Sequence, residues 1–445
     1  MATTRTPQQA TPLPDANLEK GGADPLQETS LKRVPLIYAF LSSFLVAISL
    51  SACGLQTPLE PDTTLSTQSA APEMRVRSVS LSSDSRSWLS EVKGTTNYRS
   101  KSSTYSLERL AGSGRVQDLS RHLNLQLTSV LAAFRVSGDR DLLEKVYVVM
   151  QKERATLKDT NRDGYLDWRY VPGAKSSGSL DWTDKHVMEE IMAHSIVAQA
   201  AYAFKLNSRV DRKYAEAASF WTNYLQKHYE AKWRKRTGKR SGYPIIEKPL
   251  FHPYVNNTRY HHYMYKLTGN SAYRQERDRE VALIKRHLLP TNGAYVWTHF
   301  VNEAKSARGS KLNWSYQPVG YTGEAMSVLA DLGLEGVLSE STMRGIAKTL
   351  AVKMLDDGSK GVMAGDVGGS QKGSYYIPYL HKKMTLTAPG YSRGTIGTFS
   401  SRGYALLAPW DSSGEIARKA ASCHKTSGGW PIAPAGVVLA KGFRP

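Results

Sequence analysis

The sequence predicts an all-α fold, a toroid of about five to six helical hairpins with long, aromatic-rich loops on one rim. Two observations carry this. Apolar, helix-like segments repeatedly end in a tight turn followed by a second, amphipathic segment. Long connections then return the chain to the next apolar segment.

The turns are Val136-Ser137-Gly138-Asp139, Leu206-Asn207-Ser208, Leu267-Thr268-Gly269-Asn270, Leu332 to Gly336, and a fifth at Pro409 to Gly414. They recur roughly every 60–75 residues, the signature of stacked or closed helical arrays. Gly and Asn suit the left-handed residue that ends a helix, and Ser and Asp suit the next N-cap. The segments before the turns are apolar on most sides. His186 to Phe204 carries Val187, Met188, Ile191, Met192, Ile196, Val197 and a run of Ala, as a helix enclosed by neighbours does. The segments after the turns are one-sided. In Tyr214 to Tyr229, Phe220, Trp221, Tyr224 and Leu225 alternate with Lys, Glu and Gln. An inner and an outer ring follow.

The N-terminus bears on compartment. Lys32 and Arg33 precede the apolar run Val34 to Leu50, which ends in Leu50-Ser51-Ala52-Cys53-Gly54. A basic flank, an apolar stretch and small residues at the cleavage point make a secretory signal. The ending resembles the lipobox of bacterial lipoproteins, in which the cysteine is lipidated. That resemblance implies an exported, membrane-anchored lipoprotein attached through Cys53, in the periplasm or at the cell surface. The alternative is an uncleaved anchor, for which a run interrupted by Pro35 and several Ser is marginal. The chain then divides into a signal segment 1–52, a Ser/Thr/Pro-rich tether 53–106 with a short helix near Ser87 to Val92, and a catalytic domain 107–445.

The chain has 445 residues, 59 Lys and Arg against 39 Asp and Glu, and a net charge of +20. The segment 1–52 has equal numbers of each sign, so the remainder keeps the whole excess. Such a balance points to an acidic partner. Two cysteines exclude a disulfide scaffold. No nucleic-acid motif accompanies the charge, and export favours an acidic polysaccharide over nucleic acid. The densest basic run is Lys232 to Arg240, which holds Trp233 and reads as a polyanion grip or a solvated loop.

Four long connections, Asp159 to Lys185, Glu230 to Tyr254, Asn292 to Gly320 and Asp357 to Arg393, lead into inner-segment starts and should share one rim. They hold Trp168, Trp182, Trp233, Trp297 and Trp314. The chain has 24 Tyr but 9 Phe, a bias that suits a wet cleft stacking sugar rings.

Lys266 to Tyr273 is the closest copy of a Thr-Gly-Asp-x-x-Tyr-like turn. With the hairpins and aromatic loops, Gln117 to Trp410 resembles the (α/α)-toroid polysaccharide lyases of the alginate-lyase type. Toroidal glycoside hydrolases and epimerases share this turn. The resemblance implies β-elimination on a uronate polymer, with no organic cofactor and a monomeric chain. That reaction needs a neutraliser for the carboxylate, a base for C5–H and an acid for the leaving oxygen. His252 to Tyr265 holds the residue types for all three. Asn257 and His261 lie one helical turn apart, as do Asn256 and Tyr260. In the alginate-lyase type this place often reads Asn-Asn-His. Asn256 and Asn257 match, Thr258 replaces the His, and His261 is the substitute base beside Arg259 and Tyr260.

Further candidates surround this segment. Asp181 to His186 continues to Glu190 and His194. Trp182, His186, Glu190 and His194 suit ligand contact, with a packed core histidine as the alternative for His194. Asn313 to Glu324 offers Trp314 as a sugar platform and Tyr316 as an acid. Trp297, His299, Arg393 and Arg402 add binding groups. Asp159, Asn161, Asp163 and Asp167 fall in a D-x-N-x-D-G-x-x-D run that matches the start of a calcium loop, with Gly164 at the sharp turn. Position twelve is Tyr170, where the bidentate Glu is expected, so a structural Ca²⁺ and an Asx-rich turn are both open. Two other function classes are compatible with these residues: a toroidal hydrolase using paired carboxylates among Glu189, Glu190 and Glu324, and a non-catalytic lipoprotein that binds envelope polysaccharide.

Overall fold

The structure, a computed structural model, describes residues 73–96, 106–160, 162–168, 187–237, 250–299, 301, 316–355, 363–369, 374–377, 382–385, 396–427 and 430–443. All belong to one compact unit, Leu65–Pro445. Cys53, Asn161, Trp182, His186, Trp314 and Arg393 lie outside the described residues, as does the signal segment.

The described residues are mainly helical, so the class is all-α. Helix α1 spans Ser83–Thr96 and α2 Leu107–Ala111. A π-helical turn, Asp118–Leu123, runs into α3, Asn124–Ser137, which is paired with α4, Arg140–Ala155. The next pairs are α5, Val187–Leu206, with α6, Arg212–Tyr224, and, after the short α7, Ala231–Thr237, α8, Phe251–Thr268, with α9, Ser271–His287. Then come α10, Val319–Leu334, with α11, Glu340–Lys348; α12, Ile396–Ser401; a 3-10 segment, Tyr404–Trp410, with α13, Glu415–Ser427; and α14, Ile432–Gly442.

Two short antiparallel hairpins interrupt the helices: β1, Leu289–Thr291, with β2, Ala294–Val296, and β3, Ser374–Ile377, with β4, Lys382–Thr385. Asn292 and Gly293 both have positive φ, the turn that an Asn-Gly pair makes in a two-residue hairpin.

The turn chemistry follows the expected rules. Gly138 and Gly269 end α3 and α8 in the left-handed conformation. Asp139, Asp211, Asn270 and Ser339 cap the helices that follow, each accepting a backbone N–H.

Packing runs in sequence order. Helix α3 contacts α5, α5 contacts α8, α8 contacts α10, and α10 contacts the 3-10 segment. That segment contacts α14, and α14 contacts α3. The second member of each pair lies against the first, and α1 lies against α14. The expected tether 53–106 is therefore corrected at its C-terminal part, where residues 73–96 are packed on the helical unit. Val76 N–H donates to Asn207 Oδ1 at 2.7 Å, and Arg77 N–H donates to the Gly138 carbonyl at 3.1 Å. This strap crosses the C-terminal ends of α3 and α5. A Cβ on Gly138 would meet Arg77 Cγ at 2.4 Å, so glycine is required there by contact as well as by backbone angle.

The first-member helices bury polar groups where they meet. Arg259 has no exposed surface and donates to Thr128, Gln199, Asn124, Ser195 and Asn256. Further along, Asp331 accepts from Gln199 and Tyr263, and Arg135 pairs with Glu335. Every partner in this set comes from α3, α5, α8, α10 or the residue just after α10, so the network fixes how those helices are rotated.

Candidate functional site

The N-terminal ends of the first-member helices bring together a charged group. Arg121 projects from the π-helical turn before α3. One guanidinium nitrogen donates to Glu189 of α5 at 3.1 Å and the other to Glu324 of α10 at 3.2 Å. Arg402 donates to the same Glu324 at 2.6 Å. Gly323 permits this, because a Cβ there would lie 2.5 Å from the Arg402 carbonyl.

Aromatic rings complete the group. His252, in the first turn of α8, stacks on Tyr321 with ring centroids 4.6 Å apart. His299 lies 5.7 Å from His252 and 5.3 Å from Tyr321. The Arg121 guanidinium stands 5.4 Å over the Tyr321 ring. His252 and His299 are buried, whereas Tyr321 is half-buried and reaches the surface.

The positions of His252 and Tyr321 follow from local anchoring. Phe251 N–H donates to the His299 carbonyl at 2.9 Å, which fixes the start of α8. Trp297 Nε1 donates to Gln317 Oε1 at 2.6 Å, so the Gln317 amide nitrogen faces His252 Nδ1 at 3.5 Å. An amide nitrogen only donates, so the His252 proton belongs on Nε2. That atom is buried, has no hydrogen-bond partner, and lies 4.0 Å from Glu324 Oε2.

Electrostatics keep both imidazoles neutral. Burial, then the charges of Arg121 and Arg402, holds the His252 pKa well below its ordinary value. Burial, then Arg121, brings His299 down to about 3. Burial alone would weaken the Arg121 charge, but Glu324 and Glu189 more than offset it and raise its pKa.

The residues expected from sequence fall in three places. Asn257 and His261 share a helix face as expected, but that face meets α9. Asn257 donates to Glu280 Oε1, and His261 Nδ1 lies 3.0 Å from Glu280 Oε2. Asn256 and Arg259 point to the opposite side, into the polar network, where Asn256 accepts from Asn124 and Ser195. Burial brings Arg259 down to about 10. Tyr260 donates to Glu230 at 2.6 Å. These side chains are enclosed and engaged with protein groups, and the open group of side chains lies nearer the start of α8.

Glu190 and His194 form a second buried set. Lys232 has no exposed surface and pairs with Glu190 at 2.7 Å and Asp167 at 3.4 Å. Trp233 Nε1 donates to Glu190 at 2.8 Å. The polyanion-grip reading of this run is corrected at its first two residues, which serve the core. Burial opposes the Glu190 charge, but Lys232 outweighs it and the pKa is lowered. His194 stacks on Tyr229 at 3.7 Å and meets the Tyr224 hydroxyl at 3.0 Å, and burial brings it down to about 3. It is the packed core histidine that was the alternative reading.

Trp297 is fully buried and offers no face to a sugar. Tyr316 is half-buried, and its ring lies against Gly368. In the acidic loop, Asp159 accepts the backbone N–H groups of Asp163 and Gly164, and Asp163 accepts that of Tyr165, which is Asx-turn geometry. Asp167 is buried on Lys232 and so is directed to a cation the protein already supplies. Among the described residues no group of three His, Cys, Asp or Glu is placed to hold a metal.

Sequence reasoning assigned no role to Arg121, His252 or Tyr321. The available signal was position, since each lies at or just before the start of a first-member helix, where the loops converge.

Comparison with protein-family models, with curated proteins and with solved structures returned no match.

Proposed function

We propose that this chain is a toroidal lyase that cleaves a uronate-containing, acidic polysaccharide by β-elimination. The circular order of helix contacts, from α3 back to α3 through α14, supports the toroid. The observation that carries the activity is Tyr321, a surface-reaching phenol stacked on a neutral imidazole beneath the Arg121 guanidinium.

Arg121 and Arg402 bind the uronate carboxylate and so acidify C5–H. Tyr321, reacting as its phenolate, takes the C5 proton and becomes the phenol. The C4=C5 double bond forms as the C4–O4 bond breaks, and the proton passes to O4. Charge that develops in the transition state is met by the guanidinium over the ring. His252 sets the Tyr321 ring from behind. Export and lipid attachment at Cys53 belong to the same proposal, since both position the enzyme toward an envelope or extracellular polymer.

A hydrolase is the second reading, favoured by Glu189 and Glu324 meeting on one arginine. Hydrolysis requires one carboxyl free to act as an acid. Here both are engaged by guanidinium groups, which favours elimination. Incubation with alginate, glucuronan, pectate and glycosaminoglycans tests the reading. The near-ultraviolet absorbance of an unsaturated uronate is expected with one of them. New reducing ends without that absorbance would favour hydrolysis, and binding without either would leave a non-catalytic polysaccharide-binding protein.

A further inference from the structure

The elements that precede α3 line an open-mouthed cavity of about 460 Å³ that shares Arg121 with the site above. That volume is in the range of small-ligand sites. Three guanidinium groups line it, Arg109 from α2, Arg115 from the turn that follows and Arg121 from the π-helical turn. A single carboxylate, Asp118, also lines it and lies 3.7 Å from Arg115. The Arg115 Nε atom is buried and has no hydrogen-bond partner.

The rest of the lining narrows the ligand. Gln117 and Ser113 contribute an amide and a hydroxyl, and Leu110 is the apolar member. His122 also lines the cavity and no Phe, Tyr or Trp joins it, so a nucleobase would find one small ring and no aromatic platform. One leucine gives little purchase to an acyl chain. An excess of guanidinium groups suits a carboxylate. A carboxylate and an amide among them suit hydroxyl groups, which a bare inorganic anion lacks.

We propose that this cavity is a binding subsite for an acidic sugar residue, the one adjacent to the uronate at Tyr321. Arg115 and Arg109 take its carboxylate, and Asp118 and Gln117 take its hydroxyls. The ligand class rests on the acidic-polysaccharide reading, but the binding does not depend on elimination. Placed beside Arg121, the cavity makes two consecutive acidic residues the recognised unit of the polymer.

The test is calorimetric titration of the full chain with the methyl glycosides of glucuronic, galacturonic and mannuronic acid. None carries a sugar on O4, so none yields the elimination product. Methyl glucoside and sodium sulfate are the controls. At least one uronide is expected to bind about tenfold more tightly than methyl glucoside. Arg115→Ala should remove that advantage and Arg115→Lys should retain part of it, both without loss of helical circular dichroism. Uronides that bind no better than methyl glucoside would overturn the proposal, and so would unchanged binding in Arg115→Ala. Sulfate binding as tightly as the best uronide would make this a bare-anion site and overturn it equally. Arg115-dependent uronide binding in a chain that yields no unsaturated product would support the subsite and remove the lyase reading alone.

Discussion

His252 and Tyr321 stack with ring centroids 4.6 Å apart, although 4.0 Å separates the His252 Nε2 from the nearest carboxylate oxygen of Glu324. The histidine is thus placed to hold a ring, and the tyrosine to meet a ligand. Tyr321→Phe should lower elimination by about 10²-fold or more, the usual worth of a positioned proton carrier. His252→Phe keeps a stacked ring and should lower it far less. Full activity in Tyr321→Phe, measured as unsaturated uronate formed per minute, would remove Tyr321 from the mechanism.

Arg259 is a strut rather than a ligand group. Arg259→Met leaves the oxygens of Asn124, Ser195 and Gln199 without their donor. A loss of about 3–5 kcal/mol of unfolding free energy is expected in urea titrations. A variant that is stable but inactive would return Arg259 to the site.

Lys232 and Lys235 are neighbours in a basic run yet should behave oppositely. Lys232→Met leaves Glu190 buried without its cation and should cost about 3–5 kcal/mol. Lys235 is exposed, and Lys235→Ala should change stability by less than about 0.5 kcal/mol. Equal small effects would show that Lys232 is not enclosed.

Four buried histidines predict acid lability. Burial lowers His252 well below its ordinary value, His194 and His299 to about 3, and His287 to about 4. Each stays neutral in the folded chain while the unfolded chain takes up a proton below about pH 6.5. Their contribution is therefore fully present above that pH and is lost as the pH falls toward the folded values. Each accounts for up to about 1.4 kcal/mol per pH unit in that window. Calorimetry at pH 5 in buffers of different ionisation enthalpy should find net proton uptake on unfolding. Zero uptake would contradict the neutral assignments.

Gly138 and Gly269 isolate the strap. Both have left-handed backbone, but a Cβ at Gly269 meets nothing within 4 Å, whereas one at Gly138 meets Arg77 at 2.4 Å. Gly269→Ala should cost about 1 kcal/mol from backbone strain alone. Gly138→Ala should cost more, and should open residues 73–82 to proteolysis. Equal losses would mean that the strap contributes nothing.

The sequence made the hairpins legible because their turns are local chemistry. Gly138, Gly269, Asp139 and Asn270 act on their immediate neighbours, and no distant partner is needed to read them. Helix rotation is different. Asn257 and Arg259 lie two positions apart in α8, and only Glu280 on one side and Asn124 with Ser195 on the other decide which faces where. Lys232 read as solvated because its partners, Glu190 and Asp167, stand 42 and 65 residues away. The Asn292-Gly293 pair is a local hairpin signal at the start of a long connection.

The contact of α1 with α14 bears on how the chain must be made. It joins the first and last described helices, and Lys441 of α14 pairs with Asp84 of α1. That pair therefore cannot form until nearly the whole chain has been synthesised. Loop-closure entropy makes so distant a pairing slow. A shortened form lacking α1 would uncover the apolar side of α14, and one lacking α14 would uncover α3 and the 3-10 segment as well, so a C-terminal deletion should aggregate more readily than an N-terminal one.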